Sequence, residues 1–118
     1  MDVDLYQREA DLTQDLLDLT DKIPETWREL AEAETEYDTV TTAAFVYYTE
    51  QMGLSAAAAK ERLKGDAQVI EAKKRKIMAE GMQKYNVEAI NTAKLVIKAT
   101  EAQIQRAMAS PNVGIGAF

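Results

Sequence analysis

The chain has 118 residues and a net charge of −6, from 20 acidic and 14 basic side chains, and it contains neither histidine nor cysteine. That length suits one domain with a modest core. The missing cysteine excludes disulfides, thiolate nucleophiles and zinc–sulfur sites, and the missing histidine removes the commonest general base and the commonest metal ligand.

The first half reads as helix. Leu5, Leu12, Leu16, Leu19, Ile23, Trp27, Leu30, Tyr37, Ala44, Tyr48 and Met52 recur at steps of three, four and seven. This is the stripe of a helix that packs lengthwise on another, and no strand alternation fits it. Pro24 interrupts the backbone without shifting the stripe, so a break is expected at Ile23–Pro24 with a new helix starting there. Gly53 is placed to stop this arm. Ser55 is a good N-cap for a short helix over Ala56–Lys64. Gly65 stops that helix, and Asp66 caps the next.

From Ala67 to about Ala109 the pattern is one long helix. Ile90, Ile97 and Ile104 repeat every seven residues with Ala93 and Ala107 on their face. Upstream, Ile70 and Ile77, then Met82 and Tyr85, are taken to continue the apolar face. Gly81 lies inside the helix, where its missing side chain is expected to admit a bulky residue from the facing arm. Ser110–Phe118, with one proline and two glycines, reads as an extended tail. The expected fold is all-α: an antiparallel helical hairpin over residues 1–109, with its first arm broken near Pro24 and a short helix at the corner. Folding at that corner sets Tyr37 opposite Met78–Glu80. A two-helix layer buries little, so self-association or docking on a protein partner is expected.

Charge divides along the same line. Residues 1–54 hold 14 acids against three bases, and residues 55–118 hold 11 bases against six acids. Antiparallel arms would let the two fields partly cancel. The opening MDVDLYQREADL is acidic, unlike a secretory leader, and the longest uncharged, largely apolar stretch, TTAAFVYYT, is far too short to span a bilayer. A cytoplasmic location without membrane association is expected.

Several groups of side chains are candidates for function. Glu25, Glu29, Glu32 and Glu36 form an acidic row, which is either a solvated face, a surface for a protein partner, or an imitation of a phosphate backbone. Phe45 and Tyr47 lie beside the apolar stripe and, if exposed, make an interface patch near the corner. Trp27, Tyr37 and Tyr48 are expected inside the seam. Lys73, Lys74, Arg75 and Lys76 form the densest basic cluster. Four consecutive residues encircle the helix as a collar, which either contacts nucleic-acid phosphates or balances the acidic arm; with only Tyr85 nearby for stacking, nucleic acid is the less favoured partner. Val113, Ile115 and Phe118 in the tail are candidates for locking onto a neighbouring subunit. Bundle di-iron sites pair Glu with Glu-x-x-His, and this chain has no histidine to supply. No phosphate loop, nucleophile elbow or dinucleotide fingerprint is present. The reading is therefore non-enzymatic, without cofactor or metal.

The stretch 28–108 carries a Glu-x-Glu-Tyr group (Glu34, Glu36, Tyr37), a Gly-x-Ser corner (Gly53, Ser55) leading into an alanine-rich helix, and a tyrosine in the second arm (Tyr85). In these features it resembles a class of small helical proteins of tailed phages, and in style the elongated helical inhibitors of host nucleases. The resemblance implies an accessory role in phage DNA metabolism or antagonism of a host nuclease or defence protein. The alternatives are a structural subunit of a virion or other assembly, held by the tail, and a nucleic-acid-binding protein using Lys73–Lys76.

Overall fold

The structure, a computed structural model, describes the backbone of residues 2–116 and the side chains of residues 4–109. Among the described residues all regular structure is helical: α1 (Asp2–Asp21), α2 (Ile23–Val46), a π-helical turn (Tyr47–Gln51), α3 (Ala56–Leu63) and α4 (Ala67–Gly116). The break falls where proline demands it. The Lys22 amide turns back to the Leu19 carbonyl at 3.2 Å, and Pro24 occupies the first turn of α2, where a missing N–H leaves no bond unmade. Thr20 helps loosen the end of α1 by donating its hydroxyl to the Leu16 carbonyl at 2.8 Å.

The chain groups into two compact units, and α4 supplies residues to both. In the unit formed by Met1–Ile23 and Tyr85–Phe118, α1 turns inward Leu5, Glu9, Leu12, Leu16 and Leu19, and Ile23 at the start of α2 follows, each at least half-buried. From α4 come Asn86, Ile90, Ala93, Ile97, Thr100, Ile104 and Ala107. The steps alternate strictly between three and four residues, which is the heptad repeat. The Tyr6 hydroxyl donates to the Met108 sulfur at 3.3 Å, beside Leu5 and Ile104. Thr100 is fully buried and donates its hydroxyl to the Val96 carbonyl at 2.9 Å, so its burial leaves no donor unmet.

In the unit formed by Pro24–Lys84, α2 continues the same alternation with Thr26, Leu30, Ala33, Tyr37, Val40 and Ala44. Its α4 counterparts are Val69, Ala72, Lys76, Ala79 and Gln83. This corrects the expected second-arm face. Ile70, Ile77, Met82 and Tyr85 are exposed, and small or polar residues take the inner positions. Trp27 is also corrected: it is 53 % exposed, because the inner steps fall on Thr26 and Leu30 on either side of it. Tyr37 meets Lys76, just short of the expected Met78–Glu80, with the ammonium 4.8 Å from the ring centroid. Nothing approaches the face of Gly81, so no bulky residue from the other arm fills that gap.

The corner is built from caps. Gly53 has φ +70°, which a side chain would resist. Ser55 accepts from the Ala58 amide at 3.2 Å and starts α3. At the far end, α4 is helical through Gly116, past the expected stop at Ala109. Pro111 removes one hydrogen bond from a helix already under way, and the backbone carries through it. Val113 and Ile115 therefore lie on a helical backbone rather than an extended one. The side chains of Val113 and Ile115, and all of Phe118, lie outside the described residues.

Candidate functional site

Three surfaces were indicated by the sequence, and their local chemistry separates them. The corner is the most constructed. Thr49 donates its hydroxyl to the Phe45 carbonyl at 2.9 Å and reaches the Val46 carbonyl at 3.3 Å. These bonds sit where the helix widens into the π turn. The Met52 amide then bonds the Tyr47 carbonyl five residues back at 3.2 Å, and Leu54 bonds Tyr48 six residues back at 3.0 Å. The second bond is one residue wider than an ordinary glycine cap.

The extra residue decides which tyrosine turns inward. The three–four alternation of α2 would reach Tyr47 next. The widened turn delivers Tyr48 instead and leaves Tyr47 53 % exposed. The Tyr48 hydroxyl donates to Asp66 Oδ2 at 2.5 Å. Asp66 Oδ1 accepts from the amides of Gln68 at 2.9 Å and Val69 at 3.0 Å, which caps α4. One carboxylate thus starts α4 and holds the end of α2. The hydrogen bond from Tyr48, with the Val69 and Gln68 amides, holds the Asp66 carboxyl below the usual aspartate range. The same bond, reinforced by the negative charge of Asp66, pushes the Tyr48 phenol up. Sequence reasoning named Asp66 as a cap and Tyr48 as a seam residue but did not join them. The link depends on the π turn, which has no sequence signature of its own.

Tyr47 packs edge-on against Tyr48, with centroids 5.6 Å apart and planes at 67°. Both rings, with Val40, Ala44, Asp66 and Gln68, line an open groove of about 520 Å³. Phe45 is half-buried and does not line that groove, so Phe45 and Tyr47 are not brought together as one patch.

The acidic row divides. Glu25, Glu29 and Glu32 are exposed on one side of α2, and Glu32 faces Arg28 at 3.5 Å. Glu36 is engaged by the Arg75 guanidinium, whose Nε also lies 3.7 Å from Glu71. The basic collar divides in the same way. Arg75 and Lys76 are spent on Glu36 and Tyr37. Lys73 and Lys74 point outward and line a second groove, of about 320 Å³, with Tyr37, Thr41, Leu63, Val69, Ile70 and Ile77. Thr41 Oγ1 is enclosed in its wall without a hydrogen-bond partner. Among the described residues no three or more acidic side chains converge as a metal site, and no helix is long and apolar enough to cross a membrane.

The fold and these surfaces define an all-helical protein whose distinctive features are carboxylate and lysine arrays on long helices. No protein-family model matches the chain, and no match was found among curated proteins or among solved structures.

Proposed function

We propose that this is a non-enzymatic interaction protein, an antiparallel helical hairpin that binds a protein partner through the acidic side of its first arm. Support for the hairpin comes from its cross-arm contacts. Tyr6 meets Met108, Glu36 meets Arg75, Tyr37 meets Lys76 and Tyr48 meets Asp66. Partner numbers fall as first-arm numbers rise, which is the order an antiparallel pair requires.

The observation that carries the binding proposal is the exposed trio Glu25, Glu29 and Glu32. Residues three and four apart on a helix are neighbours about 5–6 Å apart, so these carboxylates form a row of negative charge, of which Glu32 also faces Arg28. Such a row suits a basic protein surface and steers its approach. Following the resemblance to small phage proteins, the partner would belong to phage recombination or replication, or to a host nuclease or defence system, met in the host-cell cytoplasm.

Replacing all three, Glu25→Lys, Glu29→Lys and Glu32→Lys, tests the reading by co-purification at low salt. Loss of the partner with helicity intact is the expected result. Retention of the same partner at the same yield overturns the role of this surface.

A further inference from the structure

Between Val69 and Lys84, α4 keeps small and polar residues inside and puts its largest apolar residues outside. Inside lie Val69, Ala72, Lys76, Ala79 and Gln83. Outside lie Ile70, Ile77, Met78 and Met82, with Ile77 56 % and Met78 70 % exposed. Successive helical residues turn by about 100°, so Met78 and Met82 lie around the outer side of α4, and Ile70 and Ile77 lie on the adjoining shoulder, where they edge the groove of Tyr37, Thr41 and Leu63. Lys74 lies among them and Lys73 and Lys84 lie along one edge, all exposed, and none of the three makes an ion pair among the described residues. Along the other edge, Glu71 is already drawn to Arg75.

Gly81 lies on the same face. A Cβ built there would meet nothing within 4 Å, so no contact inside the chain uses the gap. Glycine in mid-helix costs about 1 kcal/mol against alanine. A gap of this kind lets a second helix approach closely, as small residues do wherever helices pack backbone to backbone.

We propose that the outer face of α4 over Ile70–Lys84 is a docking surface for an acidic amphipathic helix of a partner protein. Its apolar side chains would lie along Ile70, Ile77, Met78 and Met82, its backbone would approach at Gly81, and its flanking carboxylates would meet Lys73, Lys74 and Lys84. The charge on the border selects this occupant. A second copy's α4 would set Lys73, Lys74 and Lys84 against their equals. An anionic membrane has no use for the gap at Gly81, and it would be repelled by Glu25, Glu29 and Glu32 in the same unit. Nucleic acid has no use for the isoleucines and methionines. This surface is separate from the acidic row, so either proposal can fail alone.

The test uses the full chain and a fluorescein-labelled synthetic 21-residue helix with leucines on one face and glutamates on both flanks. Fluorescence polarisation is expected to give saturable binding. Lys73→Glu with Lys74→Glu weakens it at least tenfold, and exchanging the peptide's glutamates for lysines restores it. Gly81→Leu weakens binding to the original peptide while circular dichroism stays unchanged. Three results overturn the proposal: no saturable binding up to millimolar peptide, binding indifferent to charge reversal, or binding to phosphatidylserine vesicles in place of the peptide. Sedimentation provides a further check. A dimer that Met78→Glu dissolves gives the face to a second copy and overturns the proposal as well.

Discussion

Removing the Asp66 carboxylate should disconnect the start of α4 from the end of α2. In Asp66→Ala the amides of Gln68 and Val69 lose their acceptor, as does the Tyr48 hydroxyl. Loss of an N-cap costs about 0.5–2 kcal/mol, typically ~1. The bond to Tyr48 adds to this, which places the expected loss in the upper half of that range. For a chain of this size, each kcal/mol lowers the melting temperature by roughly 3–6 °C. Urea denaturation should show a lower midpoint with an unchanged slope, as for a change in stability without a change in the surface exposed. Asp66→Asn separates the two contributions, because asparagine caps about as well as aspartate without its charge. The pH dependence has a definite sign. The Asp66 carboxyl titrates below its unfolded value, so its contribution is present above about pH 4 and disappears as pH falls through the lowered folded value. The gap between the natural chain and Asp66→Ala should therefore narrow in acid. A midpoint shift equivalent to less than about 0.3 kcal/mol at pH 7, or a gap unchanged from pH 7 to pH 2, would refute the reasoning.

Other substitutions probe the remaining elements. Gly53→Ala forces a side chain into the left-handed region and should destabilise by about 1–2 kcal/mol, whereas Gly81→Ala, in open space, should stabilise by up to about 1 kcal/mol in thermal melts. Ile90→Ala removes a buried side chain and should cost about 2–5 kcal/mol; Ile77→Ala, on the outer face, should cost well under 1 kcal/mol, and equal losses would contradict the assigned register. Trp27 should emit like a hydrated indole and be quenched readily by acrylamide, in contrast to the blue-shifted, protected emission of a seam residue.

Punctuation was the most legible part of this chain, because caps and breaks depend on a few neighbouring residues. Pro24, Gly53, Ser55 and Asp66 each act where local chemistry places them. The lower part of α4 was legible as well, since Ile90, Ile97 and Ile104 are both large and inward. The upper part was not. There the large apolar residues face out, and size pointed to the wrong side of the helix. Stepping back from Ile90 by four and three reaches Asn86, Gln83, Ala79, Lys76, Ala72 and Val69, and this phase contains the correct face. Trp27 differs for a similar reason: its bulk suggests burial, but the phase falls on Thr26 and Leu30. The Tyr48–Asp66 link stayed hidden because it needs the extra residue of the π turn. The turn adds one residue where Thr49 bonds back to the Phe45 and Val46 carbonyls, and no periodicity records that. Of the candidate surfaces, the positions of the charges were legible, but not which of them the molecule uses itself. Glu36, Arg75 and Lys76 are engaged within the chain, while Glu25, Glu29, Glu32, Lys73 and Lys74 remain exposed.

The proposed surfaces all depend on the two arms running side by side in opposite directions. The chain has no native cysteine, so Arg8→Cys with Arg106→Cys gives two clean sites for nitroxide labels. Pulsed electron–electron resonance should then return one narrow distance, below about 25 Å, because these residues flank the Tyr6–Met108 contact. Arms that did not double back would separate the labels by up to two arm lengths, about 120 Å for some 80 helical residues and far beyond about 25 Å. A distribution centred there would contradict the hairpin, and the acidic and lysine-bordered surfaces built on it would fall with it.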